Sequence, residues 1–118
     1  MAEPSAHTTA VSARIEDPVL AEIVSRLVGI YRPERIYLFG SRARGAARRD
    51  SDYDLMLVMP DETPPARLRS AAAYTALWGM RASVDVLVWT RTAFDERLHL
   101  RASLPSTVAR EGRLIYSA

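Results

Sequence analysis

The stretch whose reading decides the fold is LFGSRARGAARRDSDYDLMLV, Leu38–Val58. Its start belongs to RIYLFG (Arg35–Gly40), a short aromatic and β-branched run stopped by glycine, which predicts a strand. Its end, with Met59, is DYDLMLVM (Asp52–Met59), a second strand. Alternation puts Leu55, Leu57 and Met59 on one face and Asp52, Asp54, Met56 and Val58 on the other. Between the strands, SRARG reads as a turn or a single helical turn and ARRDS as a loop. Carboxylates at i and i+2 of a strand share a face with Cα atoms about 6.6 Å apart, so they repel each other and resist burial. A shared proton, arginine partners or a divalent cation must compensate, and clustered carboxylate oxygens are what magnesium prefers.

Charge is segregated around this turn. Arg32–Arg49 holds six arginines and one acid, Glu34, whereas Asp50–Asp61 holds four aspartates and no base. A third aspartate, Asp85, interrupts SVDVLVW (Ser83–Trp89), which otherwise reads as a strand although aspartate is depleted there. If that strand lies beside the Asp52–Asp54 strand, three carboxylates meet at one end of a sheet. Such a set suits two divalent ions, one positioning a triphosphate and one activating a nucleophile. Gly40 and Gly45 permit unusual backbone angles and close approach. Ser41 adds a hydroxyl and backbone N–H groups, and Arg42 and Arg44 can pair with phosphate oxygens.

Outward from this centre, EDPVLAEIVSRLVGIYRP predicts a helix capped by Asp17, opened by Pro18 and ended by Pro33. Its apolar face is Leu20, Ile23, Val24, Leu27 and Tyr31. After the PDETPP break, Pro64 or Pro65 opens a helix to about Met80, with Leu68, Ala72, Leu77 and Trp78 facing the core. Thr90 or Thr92 caps a further helix through AFDERLHLRAS, Pro105 opens a last one that Gly112 stops, and RLIYS is a final short strand. The order predicts an α+β (mixed α/β) fold, a small mixed sheet flanked by helices. Residues 1–14 read as a flexible N-terminal tail and 15–118 as a single domain, with no internal repeat.

Composition removes several function classes. The 118 residues contain no cysteine, which excludes a disulfide framework or a thiolate nucleophile. All 16 basic residues are arginine, so no lysine serves as Schiff-base former or phosphate binder. A net charge of +2 is too mild to argue direct nucleic-acid binding. Apolar runs fall short of a membrane span and the N-terminus lacks a signal-peptide pattern, so the expected location is cytoplasmic. His7 falls in the tail and His99 on a helix surface; Trp78 and Trp89 read as core or interface anchors.

GSRARG (Gly40–Gly45) followed by SDYDL (Ser51–Leu55) resembles the signature of the polymerase-beta-like nucleotidyltransferase superfamily. It is most similar to the superfamily's minimal form, the small MNT domain (MntA-like) antitoxins, from about Ile23 to Tyr116. The resemblance implies the nucleotidyltransferase fold and Mg²⁺-dependent transfer of a nucleoside monophosphate from an NTP to a hydroxyl, with release of pyrophosphate. It implies that Asp52 and Asp54 ligate two Mg²⁺ ions, while Asp85 binds the catalytic one and helps activate the acceptor. Gly40 and Ser41 would hold the β/γ-phosphates, assisted by Arg42 or Arg44. It further implies a HEPN-domain toxin partner, neutralised when AMP from ATP is added to one of its tyrosines. An alternative is a non-catalytic antitoxin that occludes its partner. A transferase acting on a small molecule is disfavoured, because no acceptor-binding domain is read in the chain.

Overall fold

A computed structural model of the chain describes residues 15–48 and 51–118. The expected tail, 1–14, lies outside the described residues.

Helix α1 spans Pro18–Tyr31. Asp17 Oδ1 accepts the N–H groups of Val19 and Leu20 at 2.9 and 3.3 Å, filling the cap that the sequence predicts. The buried stripe is Leu20, Ile23, Val24, Leu27 and Tyr31, as expected from the i, i+3, i+4 spacing. Arg32 closes the helix in the left-handed region, φ 55°, and Pro33 follows.

Four strands make one sheet: β1 (Arg35–Phe39), β2 (Tyr53–Met59), β3 (Val84–Thr90) and β4 (Arg113–Ser117), in the order β3-β2-β1-β4. β1 pairs antiparallel with β2 and with β4, whereas β2 and β3 are parallel. The fold is therefore α+β with a mixed sheet. A parallel pair needs a crossover, and residues 60–83 supply it.

That crossover departs from the single helix expected from Pro64 or Pro65 to Met80. It is a 3₁₀ turn, Pro65–Leu68, and a short helix α2, Ala71–Ala76. The break falls at Arg69, whose backbone is extended (φ −100°, ψ 152°) and whose carbonyl accepts the Tyr31 hydroxyl at 2.6 Å. Arg67 is tied to the same helix end through the Ile30 carbonyl at 2.8 Å. Anchoring to α1 thus outweighs the helical propensity of RLRSAAA. Ala73 is buried, and Leu68, Ala72 and Leu77 pack beside the core. Trp78, expected inside, is 85 % exposed, because α2 has already ended and the chain turns there.

Thr90 caps α3 (Arg91–Asp95), which stops well before Ser103; turns carry residues 96–102, including the exposed His99. Ser103 then caps α4 (Leu104–Glu111).

Both faces of the sheet are packed. Tyr53, Leu55, Leu57 and Met59 join Ile36, Leu38 and the α1 stripe in one core. Met56 and Val58 meet Phe94 of α3 and Val108 of α4 in a smaller one, with Trp89 packed partly against it. This second cover stops short of the strand end that bears the acids, where Asp54 is part-buried and Asp85 exposed. Among the described residues no helix is long and apolar enough to cross a membrane.

Gly112 joins α4 to β4 in a space that admits no side chain. A Cβ there would meet the Val108 and Leu38 carbonyl oxygens at 2.5 and 2.7 Å, and neither can rotate away. Gly112→Ala is expected to cost about 1–3 kcal/mol, the range for overpacking, read as a lower urea midpoint at unchanged slope.

Candidate active site

Register brings the acids together. Asp54 on β2 is paired with Asp85 on β3, and opposed residues of neighbouring strands point to the same face. Asp52 precedes Asp54 by two residues, just before β2 begins, and is exposed. Asp54 feels both of the others. Burial raises the Asp54 pKa, the charges of Asp85 and then Asp52 raise it further, and Arg44 opposes them. As the side chains stand, no three acidic or histidine groups among the described residues close tightly enough to hold a metal. Asp52 lies outside the strand ladders that fix the other two.

The glycine turn touches this cluster directly. Gly40 adopts φ 76°, and Asp54 lies against it so closely that a Cβ at position 40 would overlap Asp54 Oδ2. The adjacent Phe39 is the β1 partner of Asp54, so the sheet itself holds the two motifs in register. Gly40 O accepts from Ala43 N and Arg44 N at 3.1 and 3.2 Å, and Ser41 O from Ala46 N at 3.0 Å. Ser41–Gly45 is therefore one helical turn, which Gly45 leaves at φ 73°.

Turning separates the two arginines grouped by the sequence reading. Arg44 is exposed and acts electrostatically on Asp54. Arg42 reaches the other face, with its guanidinium carbon 3.9 Å from the centroid of the Tyr53 ring. Tyr53 alternates with Asp52 and Asp54, is 5 % exposed, and belongs to the α1 core as expected. Arg42 Nε and Nη2 both donate to the Ser51 carbonyl, at 3.0 and 2.8 Å. Tyr53 Oη donates to Asp17 Oδ2 at 2.6 Å. Burial and then that partner push the Tyr53 pKa up to about 12, so the hydroxyl keeps its proton. Asp17, Tyr53 and Arg42 form a cluster that sequence reasoning missed. Its one legible signal was the tyrosine set between two aspartates, facing away from them.

Carboxylates from two parallel strands therefore lie beside a glycine-bounded turn that carries a cation, Arg44. The chain belongs to the nucleotidyltransferase domain family, whose model matches residues 18–115. Among solved structures, the chain resembles a candidate nucleotidyltransferase from Sulfolobus solfataricus, with TM-score 0.57 and 24 % identity over 84 % of this chain and 78 % of that one. It also resembles a chain of a toxin–antitoxin structure with AMP-PNP, with TM-score 0.54 and 24 % identity over 83 % of this chain and 73 % of that one. At that identity both likenesses are of fold. No curated protein matches the chain.

Proposed function

We propose that the protein is a Mg²⁺-dependent nucleotidyltransferase that moves AMP from ATP to a protein hydroxyl, a tyrosine of a HEPN toxin, and serves as that toxin's antitoxin. The observation that carries the transferase reading is the in-register pairing of Asp54 with Asp85, with the charge of Asp52 also acting on Asp54. Family membership supports the chemistry, and the toxin–antitoxin neighbour supports the biological setting.

The donor set fits a hard divalent cation: three carboxylates, two of them paired across β2 and β3, with no lysine amine or cysteine thiolate in the chain to compete. Asp52, Asp54 and Asp85 would hold it, and when bound it neutralises triphosphate charge and favours the ionised acceptor. The chain's own groups do the rest. The Gly40–Ser41 backbone and the Ser41 hydroxyl would bind the phosphates, and Arg44, which acts on Asp54, adds charge on the carboxylate side. Asp85, exposed on the outer strand of the sheet, takes the acceptor proton. The acceptor oxygen forms a bond to the α-phosphorus, the bond to the β-phosphate bridge breaks, and pyrophosphate leaves with that electron pair.

Incubating the protein with labelled ATP, Mg²⁺ and the product of the adjacent gene tests the proposal. Label should pass to the partner and be lost with Asp52→Ala. Neutralisation that survives Asp52→Ala would replace catalysis by occlusion.

A further inference from the structure

Asp52 is the one member of the acidic set that the sheet does not hold. The β1–β2 ladder ends at the Phe39–Asp54 pair and the β2–β3 ladder at Tyr53–Val84, so Asp52 lies beyond both. Its backbone is gripped by something else. Arg42 places two donors on the carbonyl of Ser51, the oxygen of the peptide group that leads into Asp52. A third, longer contact runs from Arg42 Nη2 to the Arg48 carbonyl at 3.5 Å. Ser51 Oγ in turn accepts from Arg48 N at 2.8 Å. Behind the guanidinium lies the Tyr53 ring, and behind that Asp17, which caps α1.

We propose that Arg42, backed by Tyr53 and Asp17, is a positioning residue for Asp52. It fixes the Ser51–Asp52 peptide from the face of the sheet opposite the carboxylates and is not a phosphate ligand. The proposal rests on the transferase reading of the three acids and gives Arg42 a role different from that of Arg44. Planarity is the physical requirement. One guanidinium can lie flat on a ring while its edge presents two N–H groups to a carbonyl, which a lysine ammonium cannot do. The chain from the α1 cap to Asp52 is thus continuous: Asp17 carboxylate, Tyr53 hydroxyl and ring, Arg42 guanidinium, Ser51 carbonyl.

The test compares Arg42→Lys, Tyr53→Phe and Arg44→Ala in the full chain, with far-UV spectra as the folding control. Arg42→Lys should lower kcat about 10- to 100-fold while KM for ATP stays within about threefold, the signature of misplacement without lost ground-state binding. Tyr53→Phe keeps the ring but loses the Asp17 bond, so it should move kcat the same way by less, and it carries the test if Arg42→Lys does not fold. Arg44→Ala should instead raise KM. Mn²⁺ binding, followed by electron paramagnetic resonance, reads Asp52 without turnover. Affinity should fall about tenfold in Arg42→Lys, the usual cost of losing a group that orients a ligand, and Arg42→Lys should cause no further fall in an Asp52→Asn background. A raised KM with kcat intact, or full additivity of Arg42→Lys with Asp52→Asn, would overturn the proposal. A wild-type protein that transfers no nucleotide yet shows Arg42-dependent Mn²⁺ affinity would sink the transferase reading while supporting the positioning role.

Discussion

Asp54→Asn is expected to reduce nucleotide transfer by about 10³-fold or more, equivalent to about 4 kcal/mol of transition-state stabilisation, and at the same time to raise the melting temperature at neutral pH. Both effects come from the same crowding. Asp54 is part-buried, faces Asp85 across the β2–β3 pair, has Asp52 two residues away, and its pKa is raised by burial and then by those charges. A carboxyl whose folded pKa lies above its unfolded one stabilises the fold while protonated. That contribution is complete below the unfolded pKa and is lost as pH rises through the folded pKa. At neutral pH the ionised group is therefore a cost to folding that asparagine removes. The gain in melting temperature should shrink as pH falls through the folded pKa and vanish below the unfolded one, where the wild-type carboxyl is neutral in both states. Added Mg²⁺ should stabilise the wild type and leave Asp54→Asn nearly unmoved, since only the former gains a native-state ligand. Transfer assays, and thermal melts at two pH values with and without Mg²⁺, check these four outcomes, and retention of transfer by Asp54→Asn would refute the catalytic assignment.

How much of this was legible in the sequence depends on the range of the interaction. Helix α1 is local physics: a capping aspartate, a proline at the first position and one apolar stripe, and it matches residue for residue. The opposite facing of Tyr53 and Asp54 is equally local, since strand alternation allows nothing else. The pairing of Asp54 with Asp85 is not, because the register of a parallel pair is set by how the crossover packs. Here the crossover is broken at Arg69 by the hydroxyl of Tyr31, 38 positions away. Trp78, beyond the end of the short helix that follows the break, is left on the surface. Arg42 and Arg44 looked equivalent because composition carries no phase. Only the turn closed on Gly40 O sends one arginine under the sheet and the other toward the acids.

Gly40→Ala should cost far more activity than stability, and comparison with Gly45→Ala isolates the reason. Both glycines sit at positive φ, 76° and 73°, so alanine carries a similar left-handed penalty of about 1–2 kcal/mol at either site. Their surroundings differ. Nothing lies within 4 Å of a Cβ at position 45, whereas at position 40 it would overlap Asp54 Oδ2. That oxygen is the free end of a side chain, so the clash is relieved by swinging the carboxylate aside and adds little to the unfolding free energy. The displacement falls on the group that faces Asp85, and a shift of about 1 Å in a reacting constellation costs about 10²-fold in rate. Urea unfolding of the two variants should give similar midpoints, while transfer falls about 10²-fold in Gly40→Ala and is largely kept in Gly45→Ala. Equal losses of activity in both would mean that the strained turn matters as a whole. The contact between the motif glycine and the motif aspartate would then not be what aligns the acids.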